Sequence, residues 1–98
     1  MNFNEKVYSL CKKIPKGKIS TYKEVALALN SKAYRAVGNA LNKNPYAPLV
    51  PCHRIISSAG HLHGFASGLN NKRKLLEKEG VQIKNNKVLD FEKVFYRF

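Results

Sequence analysis

Cys52, His53 and Glu79 are the residues of this chain whose types could together make a nucleophile. A thiol attacks as its thiolate, and with an ordinary pKa of about 8.5 only roughly 3% of it is ionised at pH 7. It needs a base. His53 follows the cysteine directly in the stretch Leu49-Val50-Pro51-Cys52-His53-Arg54, and Glu79 is one of only six acidic residues. An imidazole can take the thiol proton, and a carboxylate can orient and polarise that ring. The three therefore form a candidate Cys-His-Glu relay. Read singly, Glu79 is equally a surface acid at a helix end, and most cysteines are buried and inert. No CxxC or HxxxH spacing occurs, and adjacent Cys52 and His53 suit a tetrahedral zinc poorly, so neither a metal nor any other cofactor is expected.

The elements that must position these groups follow from the periodicity. Phe3, Val7, Leu10 and Cys11 fall on one helical face, which predicts a helix from about Asn4 to Lys13, stopped by Ile14-Pro15-Lys16-Gly17. Cys11 is then a small core residue without a function. Thr21 with Glu24 three residues later is a capping box, and Val25, Ala26 and Leu29 supply the apolar face of a helix over Tyr22 to Leu29. Ser31 can cap another helix through Ala33, Val37, Ala40 and Leu41 to about Lys43, closed by Asn44-Pro45. Together, residues from about 21 to 43 outline a helix-turn-helix, whose second helix carries Lys32, Arg35 and Lys43. Gly38 costs about 1 kcal/mol in that helix, which implies close approach of another backbone, in the core rather than on nucleic acid.

A stiff proline-flanked connector, Tyr46-Ala47-Pro48-Leu49-Val50-Pro51, delivers Cys52 on a buried path. Arg54-Ile55-Ile56, Ser58-Ala59-Gly60 and His61-Leu62-His63 read as a small hairpin, and Gly64 to Gly68 as a flexible loop. Asn70 or Asn71 can cap a helix carrying Leu75 and Leu76, ended by Gly80 after Glu79. Val81 to Asp90 reads as a hairpin around Asn85-Asn86, with Phe91, Val94, Phe95, Tyr96 and Phe98 docking on the core. The fold class is mainly α with minor β, a winged-helix-like helix-turn-helix domain.

At 98 residues the chain is expected to be one domain, spanning 1–98. Eighteen Lys and Arg against six Asp and Glu give a net charge of +12 and a pI near 10.0, which favours a polyanion and salt-dependent binding. A solvated positive face without a partner is the alternative. No apolar run reaches the ~20 residues that span a bilayer, and the start of the chain lacks a signal-peptide core. The expectation is a monomer away from membranes, in a reducing compartment where a free thiol survives, cytoplasmic or, in a eukaryote, nuclear.

Pro51-Cys52-His53-Arg54, preceded by Arg35-Ala36-Val37-Gly38 and Asn44-Pro45 and followed by Leu75-Leu76-x-x-Glu79-Gly80, resembles the C-terminal active domain of O6-alkylguanine-DNA alkyltransferases, the methylated-DNA-protein-cysteine methyltransferases. The four blocks stand in that family's order and spacing, from Phe3 to about Ile83. The variable N-terminal domain of many members is missing, which implies a stand-alone catalytic unit.

The resemblance implies stoichiometric, irreversible transfer of an alkyl group from O6-alkylguanine in double-stranded DNA to Cys52. The damaged nucleotide would be extruded through the minor groove, because a thiol cannot reach O6 inside a paired duplex. DNA binding would fall to Tyr22, which crowds a phosphate, to Arg35, which enters the stack where the base had been, and to Ala36 and Gly38 on the same helix. Cys52 would be ionised through His53, across a water, with Glu79 behind it, while Asn44 holds the turn that carries the cysteine. The pocket would take backbone groups of Cys52, Ile55 and Ala66, with Phe65 and Arg54 beside them; Arg54 either pins the active-site loop or contacts phosphate. Each role has a plainer rival: Arg35 a solvated cation, Tyr22 a core aromatic, Asn44 a helix stop before proline.

Some positions depart from the family. Phe65 stands where many members place a tyrosine whose hydroxyl donates to the departing base, Ala66 replaces a serine, Ala47 falls where some have proline, and Tyr34 occupies a place where a small residue often faces the groove. Related alkyltransferase-like lesion sensors replace the cysteine, usually by tryptophan; this chain has Cys52 and no tryptophan. A regulatory helix-turn-helix protein with an incidental cysteine, and a cysteine hydrolase, remain as other classes. The latter lacks any visible oxyanion hole or peptide cleft.

Overall fold

The computed structural model describes residues 1–46, 49–62 and 68–98. Helix α1 (Phe3–Cys11) is followed by strand β1 (Ser20–Thr21), then by α2 (Tyr22–Ala28) and α3 (Tyr34–Asn42). A 3-10 turn (Cys52–Arg54) runs into β2 (Ile55–Ile56), and α4 (Leu69–Lys78), β3 (Ile83–Lys84), β4 (Lys87–Val88) and a short α5 (Phe91–Val94) complete the order. The domain is mainly helical with two small sheets, as its sequence predicts.

Helix boundaries are set by local hydrogen bonding. Helix α1 starts at Phe3, one residue earlier than its apolar spacing suggests, behind a cap at Asn2, whose side chain accepts from the Glu5 NH at 2.8 Å while Glu5 returns a bond to the Asn2 NH. Thr21 caps α2, its hydroxyl accepting from the Glu24 NH at 3.0 Å. That helix ends where Asn30 takes φ +54°, with Asn30 NH donating to Leu27 O and Ser31 NH to Ala26 O. Asparagine tolerates this left-handed geometry better than most residues. Ser31 is not the cap of α3: its hydroxyl accepts from Ala33 NH two residues on, and Ala33 at the cap position offers no side-chain bond. Short-range turn formation wins there over capping. Neither Asn70 nor Asn71 caps α4, because the helix has already begun at Leu69 behind Gly68, whose φ of +98° makes the entry.

The expected hairpin over residues 54–63 is not how this stretch pairs. β2 lies parallel to β1, with Ser20 opposite Ile55 and Thr21 opposite Ile56. Ser57 NH closes the intervening turn on His61 O at 3.1 Å, and His61 itself bridges to Lys87. His63, and the loop anticipated over 64–68 apart from Gly68, lie outside the described residues. The later hairpin does form: β3 and β4 are antiparallel, and Asn85 and Asn86 both take positive φ, as a two-residue turn of this hand requires.

Because successive strand residues face opposite sides, β2 divides the core. Ile55 joins a cluster of Val7, Cys11, Val25, Val37, Leu41, Val50 and Cys52 among others, whereas Ile56 joins Ile19, Leu62, Leu76, Val81 and Val88. Phe91, Val94 and Phe95 pack on the second cluster, and Ile19 pairs with the tail through Ile19 NH to Val94 O and Tyr96 NH to Ile19 O. Tyr8 ties α1 to the helix-turn-helix by donating its hydroxyl to Ala40 O at 2.6 Å.

Among the described residues Gly38 serves no close backbone approach: a Cβ there would meet the Tyr22 ring, at an ordinary 3.9 Å.

Candidate active site

Cys52 opens the 3-10 turn directly after Pro51, with its NH bonded to Val50 O at 2.8 Å and Arg54 NH to Pro51 O at 3.0 Å. Asn44 braces the approach: its amide donates to Val50 O at 2.9 Å, and its side-chain oxygen accepts from Tyr46 NH at 2.9 Å. One side chain thus fixes both ends of the segment ahead of the cysteine. The sulfur-bearing residue is 9% exposed and sits at the edge of the first core cluster.

His53 turns its Nε2 to Glu79 Oε2 at 3.0 Å. Glu79 can meet it because α4 terminates there: Gly80 takes φ +97°, and Val81 NH returns to Leu76 O, so the chain reverses with Glu79 as the C-terminal cap of the helix. Arg54 grips the same carboxylate with two parallel bonds, Nε to Oε1 at 2.9 Å and Nη2 to Oε2 at 2.6 Å, and spends Nη1 on Ile14 O at 2.7 Å. This planar fork is the geometry for which arginine is suited. Arg54 therefore belongs behind the imidazole and pins the loop to the end of α1; its guanidinium is committed there rather than to a substrate pocket.

The electrostatics follow from these contacts. Burial pulls the His53 pKa below 6.5, against the hydrogen bond and charge of Glu79, with Arg54 and Lys72 pushing the same way as burial. The ring is held neutral near pH 7. With Nε2–H directed at Glu79, Nδ1 is the nitrogen left to accept a proton. Burial alone would raise Glu79, yet hydrogen bonds from Arg54 and His53 outweigh it and keep the carboxyl below its ordinary range.

Lys72 is the member of this neighbourhood that sequence reasoning missed. It lies on α4, is fully buried, and donates Nζ to Ile55 O. The ammonium also stands 5.8 Å from the centre of the Tyr22 ring, within cation–π range. Burial lowers its pKa to about 8, and negative charge at Cys52 pulls it back up. A buried ammonium is thus held where a charged sulfur favours it. The only signal in the sequence was a lysine on the face that also carries Leu76, one helical turn away. Ile55, expected in the pocket through its carbonyl, has that oxygen engaged by Lys72 and its side chain fully buried.

The remaining expected residues lie on the helix-turn-helix. Arg35 is exposed on α3, whereas Ala36 and Gly38 are half-buried. Tyr22 is half-buried against the first core cluster, and burial pushes its hydroxyl up to about 12, with negative charge at Cys52 and Cys11 adding to it. It also lines an open cleft of about 400 Å³ with Lys23, Tyr34, Ser57 and Ser58. Phe65, Ala66, Ala47 and Pro48 lie outside the described residues. Cys11 is fully buried, and its thiol is pushed up to about 12 by that burial.

Comparison with known proteins adds to this geometry. The methylated-DNA–protein-cysteine methyltransferase of Sulfolobus acidocaldarius is 50% identical over 82 residues, which are 84% of this chain and 52% of that protein. The chain spans about half the length of such relatives. The crystal structure of the O6-methylguanine-DNA methyltransferase of Pyrococcus kodakaraensis matches with a TM-score of 0.76 and 43% identity, over 83% of this chain and 47% of that one. Schizosaccharomyces pombe Atl1, solved with damaged DNA containing O6-carboxymethylguanine, matches with a TM-score of 0.86 and 31% identity, over 98% of this chain and 95% of that one. Residues 2–81 match the family described as the DNA-binding domain of 6-O-methylguanine DNA methyltransferase, and with four-fifths of its length so covered the chain belongs to that family.

Proposed function

We propose that this domain transfers an alkyl group from O6-alkylguanine in double-stranded DNA to its own Cys52. In the step, His53 Nδ1 takes the thiol proton through a water, and the sulfur attacks the alkyl carbon. The bond from that carbon to O6 breaks, its electron pair passes to the guanine, and the base is reprotonated. A thioether remains on Cys52. Having no ready leaving group, it closes the reaction after one event, so the protein acts stoichiometrically. Glu79, itself held by Arg54, keeps Nε2 protonated and stabilises the imidazolium; Asn44 fixes the turn. Arg35 and Tyr22, with Ala36 and Gly38 on the same helix as Arg35, meet the duplex and extrude the nucleotide from the minor groove. Phe65 and Ala66 would meet the base in this reading. The domain acts as a single unit and a monomer, in the cytoplasm or nucleus, without a cofactor. Among the described residues no helix is long and apolar enough to cross a membrane.

The observation that carries this reading is the fork from Arg54 to Glu79 to His53, with Nε2 3.0 Å from the carboxylate, directly beside Cys52. An inert structural cysteine has no use for an oriented, neutral imidazole. The end-to-end likeness to Atl1 favours a second reading, recognition of damaged DNA without reaction. Intact-mass spectrometry after incubation with an O6-methylguanine duplex separates the two. A gain of one methylene, about 14 Da, located at Cys52 and absent in Cys52→Ala, is the expected result. Binding without any mass gain would establish the sensor instead.

A further inference from the structure

Strands β1 and β2 are two residues each, parallel and buried. A parallel pair so short makes too few bonds to hold its register unaided. The fold supplies the rest from a segment about 75 positions further along. Ile19 NH donates to Val94 O at 2.8 Å and Tyr96 NH to Ile19 O at 2.7 Å, which sets Ile19 in parallel against Phe95. Ser20 pairs with Ile55 in the next register position, so β1 lies between this segment and β2. Two side chains add to the hold: the Ser20 hydroxyl donates to Tyr96 O at 3.1 Å and Lys18 Nζ to Lys93 O at 2.8 Å. Core filling needs none of these bonds, because the stacked rings of Phe91 and Phe95 already pack on the second cluster. Four hydrogen bonds directed at residues 18–20 make a strap.

What the strap holds is the joint between the two working parts of the domain. Thr21, at the end of β1, caps α2 of the helix-turn-helix, while β2 continues directly from the 3-10 turn of Cys52. Tyr96 also packs on the cluster that contains Cys52. We propose that residues 93–96, which lie outside the span matched by the family, position the Cys52 turn relative to the helix-turn-helix, so that a duplex held by α2 and α3 presents its lesion in line with the sulfur. This rests on the proposed transfer from duplex DNA. The strap residues are positioning residues that act through β1.

Two variants test it. Tyr96→Pro removes the NH that Ile19 O accepts, and the preceding Phe95, at φ −73° and ψ 123°, already has the backbone a following proline allows. Lys18→Met combined with Ser20→Ala removes the two side-chain bonds and leaves the backbone intact, should the first variant not fold. Single-turnover methyl transfer at saturating O6-methylguanine duplex should slow about threefold to tenfold, while duplex affinity and iodoacetamide alkylation of Cys52 stay within about twofold. Alkylation needs only the sulfur; transfer needs sulfur and lesion aligned. Hydrogen exchange followed by mass spectrometry should quicken in fragments covering 49–57 and not in α1. Parental transfer rates in the folded variants would overturn the proposal, and so would an equal loss of alkylation, an equal quickening in α1, or the failure of both variants to fold. If the parent itself transfers nothing, the alkyltransferase reading falls and exchange at 49–57 alone decides the strap.

Discussion

Replacing Lys72 by methionine should make the stability difference between parent and variant depend on pH in the alkaline range. The folded chain buries this side chain completely and lowers its pKa from 10.5 to about 8. Below pH 8 both folded and unfolded chains hold the proton, so the folded state bears the full cost of a buried ammonium. Between pH 8 and 10.5 the unfolded chain keeps a proton that the folded chain has released, and stability rises with pH wherever the unfolded state binds more protons. An interval of about 2.5 pH units at 1.36 kcal/mol each makes this roughly 3 kcal/mol, since 10.5 − 8 is 2.5. Lys72→Met lacks the titration. It leaves Ile55 O without its donor, at a cost of about 1–3 kcal/mol that does not vary with pH. Cys11 and Tyr22, pushed up to about 12 in the folded chain, titrate in this range only when the chain is unfolded, and being present in both proteins they largely cancel in the difference. Urea unfolding of both proteins at intervals from pH 7 to 11 measures it. The parent should gain on the variant by roughly 3 kcal/mol from pH 8 to 10.5. A flat difference, or a gain by the variant, would refute the claim that burial governs this lysine.

Glu79→Gln should remove the acceptor that Arg54 and His53 share; with the carboxylate side chain only 12% exposed, urea unfolding near pH 7 should show a loss of about 2–3 kcal/mol. Because the folded-state pKa of Glu79 is depressed, its stabilisation is present above the ordinary carboxylate range and lost as pH falls through the lower folded value, so parent and variant should converge in acid. Asn44→Ala deletes two hydrogen bonds that brace the turn, which should cost about 1–2 kcal/mol and slow methyl transfer to Cys52 in single-turnover assays. Iodoacetamide should label Cys52 in the native protein and spare Cys11, which is fully buried with its thiol pushed up to about 12; mass mapping that finds Cys11 modified before unfolding would contradict this.

What could be read in advance, and what could not, divides by the range of the interactions. Thr21 with Glu24, Gly80 after Glu79, and Asn85-Asn86 each announce a cap or a turn because the bonds that make them close within a few residues. Ser31 and the asparagines at 70 and 71 misled for the same local reason: several nearby groups could satisfy the same backbone NH, and sequence alone does not rank them. The pairing of β2 with β1 was illegible, since a two-residue strand carries no periodicity and finds its partner 35 positions away, Ile55 opposite Ser20.

The linear order of residues determined the candidate nucleophile, its candidate base in the next position, a helix-turn-helix and the strong positive charge, because residue identity and short spacing suffice for these. Tertiary structure alone decided that Arg54 turns inward to clamp Glu79, that Nδ1 is the free face of His53, and that Lys72 is buried near Cys52. Those outcomes depend on where α4 ends relative to α1 and the 3-10 turn. Side chains from three distant segments must share one desolvated volume before a lysine loses its water or an arginine finds its carboxylate.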